Sequence, residues 1–177
     1  MTIRRLILAV PVACALTTMA TLASAENIEI NYEYAQKPQV DFSKMPKGPL
    51  KIAEFTDSRG AEPTALTAEL DSEEPVADIV NDALVQAFTA GGAALVEEGE
   101  KLTLEGEVTE VQVVDKDGVI EATIRTRATL KRGSQSGYST VIFGRAEAAT
   151  ADEAIRLSLD KLVNSLILDD YFLMEVL

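Results

Sequence analysis

Two runs of alternating side chains, Leu102 to Val114 and Val119 to Lys131, constrain the fold of this chain more than any other feature. Asp115-Lys116-Asp117-Gly118 joins them, a polar turn with glycine where a positive φ is wanted, so the pair reads as a long antiparallel hairpin. In the second run Ile120, Ala122, Ile124, Ala128 and Leu130 alternate with Glu121, Thr123, Arg125, Arg127 and Lys131, which predicts one buried and one wet face. The first run changes phase: Leu102, Leu104 and Val108 share one parity, Val111 and Val113 the other. A β-bulge near Thr109-Glu110 restores the register, and Glu107 is then expected opposite Arg125 and Glu105 opposite Arg127.

A sheet with one apolar face needs helices to cover it. Val76, Ile79, Val80, Ala83, Leu84, Ala87 and Phe88 recur at three-and-four spacing, with Ser72 as the expected N-cap, Glu73 and Glu74 in the first turn, and Gly91-Gly92 as the stop. Thr150-Ala151-Asp152-Glu153 reads as a capping box opening a second helix with the stripe Ile155, Leu159, Leu162, Val163 and Leu166, which ends near Asp169-Asp170 before the apolar tail Tyr171 to Leu177. Shorter strands are expected from Ile28 to Tyr34, from Leu50 to Phe55, from Ala93 to Val96 and from Tyr138 to Ala148. Ala35 to Pro49 is expected as an extended connector and Ala61 to Asp71 as a polar loop. The expected fold is α/β, two helices packed on a mixed sheet containing an antiparallel meander, with no internal repeat.

Ahead of this domain stand Arg4 and Arg5, the apolar stretch Leu6 to Leu16 and the small-residue site Ala23-Ser24-Ala25, the layout of a secretory signal peptide. The expected organisation is a signal peptide over 1–25, an extended segment over 26–49 and a single α/β domain over 50–177, with cleavage after Ala25 and a periplasmic product. The apolar stretch is too short to span a membrane. Cleavage moves the formal net charge from −13 to −15, which disfavours a nucleic-acid ligand and leaves cationic ligands, metals or basic protein surfaces as what the field favours. The single cysteine, Cys14, lies inside the signal segment, so the exported chain folds on its core alone. Cys14 also offers a second reading, as the lipidation site of an outer-membrane lipoprotein, although Pro11-Val12-Ala13 lacks the usual leucine before it.

Chemistry is mostly excluded. The chain has no histidine and no tryptophan, which removes Ser-His-Asp and Cys-His catalysis, the usual zinc sites and histidine-ligated haem. There is no glycine-rich phosphate loop. Ser158-Leu159-Asp160-Lys161 matches the S-x-x-K of serine acyl-enzymes but falls mid-helix without its partner motifs, and Asp115-Lys116-Asp117-Gly118 lacks the ligands of a calcium loop. No catalytic, metal or cofactor site is expected, and so no enzyme activity. For contacts with a ligand or partner the candidates are Asp57 and Arg59, in a turn at a strand end, and Tyr171 and Phe172, in the apolar tail.

The strand Leu50 to Arg59, the helix Val76 to Phe88, the hairpin Leu102 to Lys131 and the strand-into-helix run Val141 to Leu166 together resemble the YajG-type family of small envelope lipoproteins. More distantly they resemble the auxiliary lipoproteins of ABC-type transporters. The resemblance covers most of residues 50–168 and is one of element order and apolar pattern. It implies a non-catalytic accessory or scaffold protein of the bacterial cell envelope that acts on an envelope protein partner. The weak sequence before Cys14 departs from the family at the anchor, which favours a free periplasmic form. The competing expectation is a periplasmic binding module for a small or cationic ligand.

Overall fold

The structure is a computed structural model and describes residues 25–177; the expected signal peptide over 1–25 lies outside the described residues except for Ala25, and Cys14 lies outside with it. In chain order the strands are β1 (Glu26–Ile28), β2 (Leu50–Ile52), β3 (Thr56–Asp57), β4 (Leu70–Ser72), β5 (Leu102–Lys116), β6 (Val119–Arg132) and β7 (Gln135–Ala148). The helices are α1 (Val76–Ala90), α2 (Ala151–Ile167) and α3 (Asp170–Val176). The fold is α/β with a mixed sheet. β5, β6 and β7 are successive antiparallel neighbours, β2 and β3 lie end to end along the far side of β5 and parallel to it, and β1 and β4 form a separate parallel pair.

The hairpin forms with a bulge between Val108 and Glu110, where the parity switch requires one. Its register differs from expectation by two residues: Glu107 faces Arg127, Glu110 faces Arg125, and Glu105 pairs diagonally with Lys131. The cause is the turn. Asp117 (φ 57°) and Gly118 (φ 89°) alone make it, so Asp115 and Lys116 extend the strand instead of leaving it. Asp115 still serves the turn, its Oδ1 accepting from the Gly118 N–H at 2.7 Å.

One face of the sheet carries the core. Leu104, Val108, Ala122, Ile124, Ala128, Leu130 and Ile142 meet the apolar stripes of α1 and α2 there. Two glycines set how closely the layers approach. At Gly144 an added Cβ would lie 1.7 Å from the Ser158 carbonyl oxygen, so the backbone of α2 rests directly on β7. At Gly106 an added Cβ would lie 1.9 Å from the Phe55 ring. Between the partners Ile52↔Leu104 and Thr56↔Glu107 the first strand holds one residue more than β5, and this excess turns Phe55 into the space that Gly106 leaves. The expected single strand from Leu50 to Phe55 is broken in two for that reason.

Other elements depart from expectation too. Ser72 does not cap α1: it is buried in β4, its hydroxyl donating to the Thr64 and Glu74 carbonyls, and Pro75 takes the cap position, where a missing N–H costs nothing. The Thr150 box is not closed either. The Thr150 hydroxyl donates to Asp152 Oδ1 at 2.6 Å and makes no cap bond to the backbone N–H groups. Ala93 to Val96 contributes one bridge, Leu50↔Leu95. The apolar tail is a third helix, where two were expected, and Asp169 caps it by accepting from the Phe172 N–H at 2.8 Å.

The segment before β2 holds the largest surprise. Its alternation runs on from Ile28 through Ile30, Tyr32 and Tyr34, half-buried against exposed Glu29, Asn31 and Glu33, but strand pairing stops at Ile28. Beyond that point the extended chain crosses α1 and α2, and a side chain replaces the missing neighbour strand. The Gln86 amide accepts from the Tyr34 N–H at 2.9 Å and donates to the Tyr32 carbonyl at 3.1 Å, as a facing peptide would. Tyr32 donates to Asp160 at 2.9 Å and Asn164 to Gln36 at 2.7 Å, so both helices hold the strap. Phe42, within the expected connector, is buried 5.0 Å from Phe88, and its N–H donates to the Gly91 carbonyl.

Candidate functional site

The turn after β3 is fixed by the Ser58 N–H and hydroxyl, both donating to the Val108 carbonyl. This places Asp57 and Arg59 on the same side of the chain. Arg59 Nε donates to both Asp57 oxygens at 2.9 and 3.0 Å, and its terminal nitrogens donate to Asp57 and to the Ala65, Pro63 and Glu62 carbonyls. Burial alone would raise the Asp57 carboxyl; the Arg59 side chain, its backbone N–H and its charge together outweigh burial and hold the group below the usual carboxylate range. With side chains only 7% and 11% exposed and their donors directed at this chain, Arg59 and Asp57 clamp the 60–66 loop.

Tyr171 and Phe172 part company in α3. Phe172 is fully buried, 5.9 Å from the Phe88 ring and 5.8 Å from Tyr138, whose own hydroxyl burial pushes up to about 12. Tyr171 points the other way and is 70% exposed, one turn from Met174 at 61%. Helical spacing separates them: Phe172 and Val176 make the buried side, Tyr171 and Met174 the exposed one.

The outer face of the sheet is a ladder of charges. Glu107 bonds Arg127 at 2.7 Å and Glu110 lies 3.3 Å from Arg125, while Glu121, nearly buried, sits between Lys116 at 2.8 Å and Arg145 at 2.5 Å. Lys116, then Arg145, hold the Glu121 carboxyl below its usual range. On β7 the ladder gives way to Val141 and Phe143, 49% and 54% exposed. Sequence reading missed these two as surface residues. Their neighbours Gly144 and Ala146 carry the signal, because small residues at alternate positions mark the side where a helix must approach.

A cleft of about 470 Å³ lies beside the strap, lined by Asn31, Tyr32, Glu33, Ala35, Glu153, Arg156, Leu157 and Asp160. The Ser158 hydroxyl is buried and donates to the Ile155 carbonyl, while Lys161 Nζ donates to the Arg145 carbonyl, so this S-x-x-K places no nucleophile at a surface. Among the described residues no group of three acidic, histidine or cysteine side chains is placed to hold a metal ion, and no helix is long and apolar enough to cross a membrane.

No protein-family model matches the sequence, and no curated protein matches it significantly. Solved structures do match in fold. Protein XCC0632 from Xanthomonas campestris, described by the family model DUF330, aligns with 81% of this chain and 93% of its own at a TM-score of 0.61 and 17% identity. Hypothetical protein CT253 from Chlamydia trachomatis aligns with 68% of this chain and 94% of its own at a TM-score of 0.53 and 7% identity. Lipoprotein GNA1162 from Neisseria meningitidis aligns with 68% of this chain and 95% of its own at 12% identity, but its TM-score of 0.37 carries no weight. At these identities the likeness is one of fold.

Proposed function

We propose that this chain is an exported, non-catalytic accessory protein of the bacterial cell envelope, of the YajG type, that acts through protein contacts. The observation that carries the reading is the division of labour on its surface. The polar clusters that could do chemistry are bonded within the chain, whereas the most exposed of the large apolar side chains, Tyr171 and Met174, stand together on α3 beside Leu168 and Leu177. The acidic charge of the rest of the molecule selects a partner that surrounds an apolar contact with basic groups. Asp57 and Arg59 take part only by shaping the loop beside them. A photo-crosslinking side chain at position 171, introduced in the native envelope, should give a discrete protein adduct; none at 171 or 174 would refute the contact. Intact-mass measurement tests the exported form: a species beginning at Glu26 is expected, and an acylated species beginning at Cys14 would make the protein an outer-membrane lipoprotein instead.

The cleft beside the strap supports a second reading, a module for a small cationic ligand, because Glu33, Glu153 and Asp160 outnumber Arg156 around it. Stabilisation by polyamines that is lost in Asp160→Asn would favour it.

A further inference from the structure

The two edges of the sheet are treated differently. On the β2 side the edge is short and partly covered, Leu50 donating to the Ala94 carbonyl at 3.1 Å and accepting from the Val96 N–H at 3.0 Å. On the other side β7 runs for 14 residues, and among the described residues no backbone hydrogen bond leaves it except toward β6. Two contacts show which backbone groups face outward. Lys161 reaches round from α2 to the Arg145 carbonyl at 2.8 Å, which places the polar groups of Arg145 off the edge. The Thr129 and Ser139 hydroxyls lie 3.0 Å apart across the strands, which fits the pair type whose backbone groups point away from each other. Direction repeats every second residue, so Ser139, Val141 and Phe143 present free N–H and C=O groups outward while their side chains stand on the exposed face.

Natural edges are blunted by lysine, proline, charge or a bulge. β7 is blunted only at its ends. Lys161 caps Arg145 at one, and at the other the register shifts between Leu130 and Lys131 and Glu175 of α3 stands by Gly137. Between them Tyr138-Ser139-Thr140-Val141-Ile142-Phe143-Gly144 contains no charge and no proline. The geometry points to a second copy of this chain as the occupant of the edge, its β7 antiparallel to the first about Val141, so that the two sheets become one.

Charge selects that occupant. The chain carries −13, so a second copy meets repulsion over most of the surface, but from Gly133 to Gly144 there is no charged residue. Pairing about Val141 sets Ser139 against Phe143 of the other copy and Arg145 against Gly137, with no like charges opposed. The same patch then serves both copies, as a two-fold contact requires, and roughly six backbone hydrogen bonds close the seam. A basic partner would be drawn instead to the acidic surface that this stretch interrupts.

Light scattering and sedimentation of the purified protein test this. Twice the monomer mass is expected, falling to one monomer in both Val141→Pro and Phe143→Lys. An outward N–H can be lost from an edge strand without breaking the sheet, so Val141→Pro should keep the wild-type melt, and Phe143→Lys changes only an exposed side chain should the first fail to fold. In a Cys14→Ser background, Val141→Cys should oxidise to a disulfide-linked dimer, since facing residues of a hydrogen-bonded antiparallel pair lie about 5.5 Å apart between Cα atoms. A wild-type protein that stays monomeric at high concentration, or a dimer that survives both substitutions, overturns the proposal. A monomer whose position 171 still gives an adduct in the envelope overturns the second copy and leaves the accessory reading standing.

Discussion

The β5–β6 hairpin and the strap before β2 are both extended chain with period-two alternation, yet different things hold them. In the hairpin every residue but the bulged Thr109 finds its partner in the neighbouring strand, and the turn that brings the strands together is two residues long. In the strap, pairing ends at Ile28, and the chain beyond it is held by side chains far away in sequence: Gln86 of α1, Asp160 and Asn164 of α2, and the ring of Phe88 against Phe42. A period of two reports which side of a chain is buried. It does not report whether the backbone is paired, because burial against helices produces the same pattern.

The sharpest way to break this comparison is at Phe42. If the strap were a loose connector, removing one ring from it would matter little. Buried against Phe88, with its N–H bonded to Gly91, it should behave as core, and Phe42→Ala should cost about 3–5 kcal/mol in denaturant titration. A loss within experimental error would show the strap to be detachable. In the hairpin the matching test is Gly106→Ala, whose Cβ would displace the Phe55 ring and cost about 1–3 kcal/mol. Phe55→Leu in the same chain should recover part of that loss.

These two positions also show how far the sequence could be read. Hairpin, bulge and helix stripes were legible because each is specified by residues within a few positions of one another. The register of the hairpin slipped by two because Asp115 and Lys116 look like turn residues and behave as strand, a choice made by Asp117 accepting a positive φ. Phe42, Gly106 and Gly144 were not legible as determinants, since each is defined by an atom that only the tertiary fold brings near. The candidate site divides in the same way. The mutual pairing of Asp57 and Arg59 is local and could be weighed in advance, whereas the split between exposed Tyr171 and buried Phe172 needed a helix that reads from sequence as an apolar tail.

A smaller effect is expected where the strap meets α2. Tyr32→Phe deletes the bond to Asp160 and should cost about 1 kcal/mol. Burial first, then the hydrogen bond to Asp160, raise the Tyr32 phenol above its ordinary value of 10.0. A phenol held neutral by the fold contributes stability that is complete below its unfolded pKa and is lost as pH rises above it, because the unfolded chain then releases the proton first. Wild-type melting temperature should therefore fall more steeply than that of Tyr32→Phe above pH 10, with Tyr138 supplying a fall common to both. Parallel curves would place the Tyr32 hydroxyl in water.

The smallest expected effect distinguishes the observed hairpin register from the one its charges first suggest. Glu107 stands directly opposite Arg127, 2.7 Å away, and Arg125 belongs to Glu110. Both partners of the Glu107 pair are partly exposed, so Glu107→Lys should cost only about 0.2–1 kcal/mol, and the loss should shrink in high salt. The size of the loss says little about register, but the coupling says a great deal. In double-mutant cycles of alanine substitutions Glu107 should couple to Arg127 and be additive with Arg125, which is two residues along the strand and engaged elsewhere. Coupling to Arg125 instead would mean that the turn holds four residues rather than two, with Asp115 and Lys116 outside the strand.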